Sequence, residues 1–170
     1  EKRIGAKNFA AVVIEPIQGE GGFIVPAPGF LKTLSQWTHA NGIVLVADEV
    51  QAGIARTGKF FASEYEDGFE PDLMTIAKGI AGGMPISAVT GRAEIMDSSH
   101  PGGIGGTFGG NPVAAAAAIA VLKQIEAGGI LEKAQHIESV MMPRLLEMKA
   151  KYPVIGEIRG RGAMLAIELV

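Results

Sequence analysis

Short apolar runs, separated by clusters of glycine, proline and charge, set the rhythm of this chain. Residues 9–15 read Phe-Ala-Ala-Val-Val-Ile-Glu, an apolar run closed by an acid and by Pro16, which predicts a buried strand. A glycine-rich loop, Gln18-Gly-Glu20-Gly-Gly, follows it. Between Pro28 and Asn41 the period changes: Phe30, Leu31, Leu34 and Trp37 recur at helical spacing, and Asn41-Gly42 supplies the left-handed stop of a helix. The β-branched run at 43–47, Ile-Val-Leu-Val-Ala, then predicts a second buried strand. Strand, helix and strand at this spacing form a βαβ unit, so the fold class is α/β, a mostly parallel sheet with flanking helices.

Further along, a loop over 52–69 leads to a strand at 71–78, and 85–91 is another β-rich segment. Residues 101–110 hold six glycines, too many for a helix or a strand interior. Asn111-Pro112 is a helix start, with Asn as the cap and Pro in the first turn. That alanine-rich helix runs to about Glu126 and stops at Gly128-Gly129. A second, from about Ile130 to Lys151, contains Pro143, which predicts a kink or a break. The alternating run at 162–170 predicts a closing strand that starts a smaller domain. The expected division is therefore 1–127 for the larger domain and 128–170 for a connecting helix and the start of the smaller one.

Composition narrows the function classes. With 170 residues and 48 % hydrophobic content the chain supports a real core. A net charge of −3 gives no reason to expect nucleic acid or an acidic membrane surface as partner. The absence of cysteine excludes disulfides and thiolate metal sites, and the three histidines lie too far apart to make a metal pair. The longest apolar run, 113–122, is far short of the ~20 residues that span a bilayer. The polar start carries no signal-like apolar segment, so a soluble, cytoplasmic protein is expected. Both ends look cut: residue 1 is Glu, and the chain stops inside an alternating strand pattern. An internal piece of a longer protein is expected, with apolar sheet faces that favour aggregation when unpartnered.

Candidate chemistry sits at strand ends. The run at 43–47 leads into Asp48, and the run at 71–77 leads into Lys78. Ligands of open parallel sheets gather at the carboxyl ends of strands. An acid and an amine placed there point to a pyridinium partner and a Schiff-base lysine. Taken singly, each has an ordinary alternative: a strand-end Asp caps a turn, and a lysine sits solvated in one. Residues 53–59, Gly-Ile-Ala-Arg-Thr-Gly-Lys, have the spacing of a phosphate-cradling loop, but Phe60 stands where Ser or Thr would hold magnesium. Gly103-Ile-Gly105-Gly106 lacks the third glycine of a dinucleotide fingerprint, although its amides and the Thr107 hydroxyl suit a phosphate.

Five stretches, in order along nearly the whole chain, resemble the class III aminotransferases that use pyridoxal 5'-phosphate. They are Val13-Ile-Glu15-Pro-Ile-Gln-Gly-Glu20-Gly-Gly, Ala47-Asp48-Glu49-Val50-Gln51-Ala-Gly-Ile-Ala-Arg56-Thr57-Gly58, Pro71-Asp72-Leu-Met-Thr-Ile-Ala-Lys78-Gly79, Gly105-Gly106-Thr107-Phe-Gly-Gly-Asn111-Pro112 and Arg159-Gly-Arg-Gly162. Wording around Gln18–Phe23 and Ala88–Glu94 is nearest to the 4-aminobutyrate branch of that family. The resemblance implies the fold-type I large domain and the start of the small C-terminal domain. It implies that Lys78 is the Schiff-base lysine and proton shuttle, that Asp48 holds the pyridinium, and that Val50 packs on the ring. Gln51 would bond the phenolic oxygen, and Thr107 the phosphate, across a homodimer (or dimer of dimers). Glu20 resembles the substrate-site acid that pairs with an arginine expected after Val170. Arg159 and Arg161, flanked by glycines, are read as turn residues, and Arg56 as a support for its loop.

The implied reaction moves an amino group from a small amino donor, an ω-amino acid such as 4-aminobutyrate, to a 2-oxo acid, 2-oxoglutarate. Ornithine or acetylornithine aminotransferase, or glutamate-semialdehyde aminomutase, are the alternatives within the family. The family's phosphate cup and ring-stacking aromatic come before the matched segment. This chain alone is thus expected to bind cofactor poorly and to be inactive.

Overall fold

The computed structural model describes residues 4–107 and 109–170. The main sheet has four strands in the order β1 (Ala11–Ile14), β2 (Val44–Asp48), β3 (Leu73–Ile76) and β4 (Ala88–Gly91). The first three are parallel, with Ile14 opposite Ala47 and Asp48 opposite Thr75, and β4 closes the row antiparallel to β3. The mostly parallel sheet is thus as the hydrophobic pattern predicts.

Helix α1 (Phe30–Ala40) connects β1 to β2 and lays Leu31 against Leu45, Ala47 and Phe69 to form one core cluster. The Asn41-Gly42 stop falls where expected, with Gly42 at φ 64°. A short helix α2 (Ala93–Met96) follows β4. Helix α3 (Pro112–Glu126) starts as the Asn111-Pro112 pair dictates: the Asn111 side-chain oxygen accepts from the backbone N–H groups of Val113 and Ala114 at 3.0 and 3.4 Å. Helix α4 (Ile130–Lys151) packs on strand β5 (Ile155–Arg161), which pairs antiparallel with β6 (Met164–Leu169) in a second, two-stranded sheet.

Three expectations change. The helix does not break at Pro143, because α4 continues through it. Pro143 and Ser139, whose carbonyl loses its i+4 donor, are both exposed, so water can serve the freed oxygen. Arg159 and Arg161 are not turn residues but lie inside β5, opposite Ala166 and Met164. The glycine-rich text of 156–162 hides a strand that the pairing with β6 sustains. Finally, β3 ends at Ile76, and Lys78 opens a short 3-10 turn, Lys78–Ala81, packed against α3.

Apolar surface remains uncovered. Val13 on the edge strand β1 is 65 % exposed, and Val113 and Ile119 on α3 are also exposed. Among the described residues no single helix is long and apolar enough to cross a membrane.

Candidate active site

The site is built on the carboxyl edge of β2 and β3. Alternation along residues 43–49 sends Ile43, Leu45, Ala47 and Glu49 inward and leaves Asp48 half-buried on the other face. One Asp48 oxygen, Oδ1, accepts from the Thr75 hydroxyl of β3 at 3.0 Å and from the Val50 N–H at 3.1 Å. Its Oδ2 takes no hydrogen bond among the described residues, and neither Asp48 nor Lys78 joins an ion pair there. A half-buried carboxylate with one free oxygen has the capacity to accept from a cationic or N–H partner.

Lys78 stands three residues beyond the Thr75 that touches Asp48. Its backbone is left-handed, with φ 45°, a conformation that costs a non-glycine residue roughly 1 kcal/mol. Such strain persists where the surroundings over-determine it, and functional sites collect it. The exposed Lys78 side chain shares a cavity of about 260 Å³ with Phe23, Gln51, Ile54, Arg56 and Met164. Gln51 donates from Nε2 to Glu20 Oε1 at 2.9 Å, and the Glu20 loop is tied down where the Gly19 N–H donates to Glu15 at 3.1 Å. Gln51 and Lys78 thus share one cavity, with Glu20 reached through Gln51, while Asp48 and Val50 stand at the same carboxyl end of β2 but do not line that cavity. Thr107 does not join them: it lines a separate, open depression with the β4 residues Ala88 and Val89 and with Gly105, Gly106, Gly109 and Gly110.

Residues 53–59 are no phosphate loop. The Gly53 N–H is spent on the Glu49 carbonyl and the Gly58 N–H on that of Ala55, and no α-helix follows Lys59. Instead the segment anchors the β5–β6 hairpin. The Arg56 carbonyl accepts from the Ala163 N–H at 3.0 Å, and a Cβ on Gly162 would fall 2.3 Å from the Thr57 backbone. The Arg56 backbone thus meets the hairpin, and the residue also lines the Lys78 cavity.

Glu49 is a residue the candidate list lacks. Wholly buried, it accepts from the N–H groups of Ala62 and Ser63 at 3.0 and 2.7 Å and from the Ser63 hydroxyl at 2.5 Å. Burial pushes its pKa above the usual 4.5, against the lowering effect of the Ser63 and Ala62 bonds. The signal was available: Glu49 continues the inward alternation of 43, 45 and 47.

A row of parallel strands closed by one antiparallel strand, with an acid and a lysine at its carboxyl edge, is the large-domain architecture of the fold-type I pyridoxal-phosphate-dependent aminotransferases. The model of the family "Aminotransferase class-III" matches residues 2–170, and the chain belongs to that family. It is 60 % identical over 172 residues to a 4-aminobutyrate aminotransferase of Mycobacterium tuberculosis, covering 100 % of this chain and 38 % of that protein. It is 52 % identical over 163 residues to a 5-aminovalerate aminotransferase of Pseudomonas aeruginosa, covering 96 % of this chain and again 38 % of the other. An ornithine aminotransferase of Toxoplasma gondii, with partial occupancy of pyridoxal phosphate at its active site, superposes with a TM-score of 0.86 at 41 % identity. That match covers 96 % of this chain and 39 % of the solved one. The chain thus spans 38 % of the length of the curated relatives named here.

Proposed function

We propose that this chain is the cofactor-binding segment of a longer pyridoxal-phosphate-dependent aminotransferase. The full-length enzyme transfers the amino group of an ω-amino acid, 4-aminobutyrate, to 2-oxoglutarate, giving succinate semialdehyde and glutamate. The observation that carries the reading is the placement of Asp48 and Lys78 on the carboxyl edge of adjacent strands, both without ionic partners among the described residues. The choice of amino donor is supported by the 60 % identity to the mycobacterial 4-aminobutyrate enzyme over the whole chain. Ornithine is the second reading, on the fold-level match to the Toxoplasma enzyme at lower identity.

The donor set fits the cofactor. The free oxygen of Asp48 suits a protonated pyridine nitrogen, the Lys78 amine suits an aldehyde carbon, and the Gln51 amide suits a phenolic oxygen. When bound, pyridoxal phosphate supplies the electron sink that acidifies the substrate C–H bond. The chain's residues do the rest. Asp48 would keep the ring nitrogen protonated, and Thr75 and the Val50 N–H orient that carboxylate. Lys78, in the cavity lined by Phe23, Ile54 and Met164, would hold the cofactor through its amine and serve as the proton carrier at the substrate carbon. Gln51, bonded to Glu20, would hold the ring's phenolic oxygen, and the Glu20 carboxylate would serve the substrate side. Thr107, which lines an open depression apart from Lys78, would hold the phosphate of a neighbouring subunit in a dimer, for which the exposed Val113 and Ile119 offer apolar surface.

The test is a coupled assay of the full-length protein with 4-aminobutyrate, 5-aminovalerate and ornithine as donors. Formation of succinate semialdehyde, lost in Lys78→Ala, is expected. Turnover of ornithine alone would transfer the assignment to the second reading, and no transamination with any of the three would overturn the activity.

A further inference from the structure

We propose that Arg159 is a positioning residue for the candidate active site: it holds the peptide between Gly22 and Phe23 so that Phe23 walls the Lys78 cavity and Glu20 stays beside Gln51. The proposal rests on the site reading given above. Three observations carry it. First, the Arg159 Nε–H donates to the Gly22 carbonyl at 2.6 Å, a contact between β5 and the glycine-rich loop 137 residues earlier. Second, that carbonyl belongs to the peptide that leads into Phe23, which has a left-handed backbone at φ 54°. A side chain as large as Phe does not hold that conformation unaided. Third, Phe23 lines the cavity with Lys78 and packs on the Ile17, Ala52, Ala62 and Met164 cluster.

The guanidinium itself is well fixed. Its Nη1 pairs with Glu157 at 2.8 Å and Glu168 at 2.5 Å, on both strands of the hairpin, and the side chain is 16 % exposed. Gly22 is fitted to it: at φ 117°, an added Cβ would come 2.8 Å from Arg159 Nη2. The loop between Gly19 and Phe23 is thus held by its own turn, where the Gly22 and Phe23 N–H groups donate to the Gly19 carbonyl. The Gln51–Glu20 and Gly19–Glu15 bonds hold its first half, and Arg159 holds it at the Gly22 carbonyl. Glu20 lies inside that span.

Arg159→Lys separates the clamp from mere charge. The lysine still faces Glu157 and Glu168 but has no N–H at the Nε position. Gly22→Ala attacks the same contact from the loop side. In the full-length protein, hydrogen exchange at the Gly22 and Phe23 amides is expected to rise roughly ten-fold in both variants, while the amides of β5 and β6 stay protected. KM for the amino donor is expected to rise about ten-fold with a smaller change in kcat. Unchanged exchange at 22–23 in both variants would overturn the clamp. Raised exchange with unchanged KM in an active enzyme would overturn its role in positioning the site. Raised exchange in a protein without transaminase activity would leave the clamp standing and remove the reading it serves.

Discussion

Asp48 and Glu49 are neighbours in sequence and opposites in setting. Glu49 is wholly buried, and three donors converge on its carboxylate. Asp48 is half-buried and keeps an oxygen without a hydrogen bond among the described residues. The same contrast separates Asp72, buried and occupied by the Leu45 N–H and by Arg92, from Lys78, exposed in a cavity and strained in its backbone. Polar groups whose bonding is complete hold the fold, and in the proposed reading those left with unused capacity serve the cofactor. The division predicts two kinds of loss, which mutagenesis can pull apart.

The largest effect is expected at Lys78. Lys78→Ala lowers transamination by the full-length enzyme at least about a thousand-fold, since it removes both nucleophile and proton carrier, and leaves thermal unfolding unchanged. Asp48→Asn keeps a carbonyl oxygen for Thr75 and Val50 but no longer holds a ring proton. A kcat decrease of roughly a hundred-fold with an intact fold is expected, measured by steady-state kinetics and circular dichroism. A matching loss of stability would put Asp48 in the structural class with Glu49.

Glu49 should fail the other way. Glu49→Ala strands two buried N–H donors and a hydroxyl, costing about 3 kcal/mol in chemical denaturation. Its pH dependence is diagnostic. Because burial raises its pKa, the native state keeps a proton that the unfolded chain releases above the ordinary value of 4.5. The stabilisation is full below that value and is lost as pH rises through the folded one. Wild type should therefore lose stability relative to Glu49→Gln on going upward from pH 4.5, and a wild-type advantage that grows with pH would contradict the assignment. The smallest effect is at the start of α3: Asn111→Ala costs about 1 kcal/mol by removing the cap, with activity retained.

Much of this was legible in the sequence. Apolar runs bounded by acid, Pro and Gly placed the parallel strands, helical spacing placed α1, and the Asn111-Pro112, Gly128-Gly129 and Asn41-Gly42 signals set the ends of the helices. Asp48, Gln51 and Lys78 fell on one edge because strand ends of a parallel sheet share an edge. What stayed hidden was non-local. Strand β5 carries Gly156, Glu157, Arg159, Gly160 and Arg161 and gains its pairing from β6, so no apolar alternation announces it. The Arg159 contact spans 137 residues. Pro143 looked disruptive because a local rule does not know that the freed carbonyl lies at the solvent face. The lesson for Glu49 differs: the alternation through 43, 45 and 47 already marked it as buried, and only a motif centred on its neighbour drew attention away.

The most direct measurement is chemical. Full-length protein incubated with pyridoxal phosphate, reduced with borohydride and digested should yield one pyridoxyl-modified peptide, with the label on Lys78. Label on another lysine, such as Lys59 at the neighbouring loop, or no stable label at all, would contradict the claim that the edge of β2 and β3 is the cofactor site.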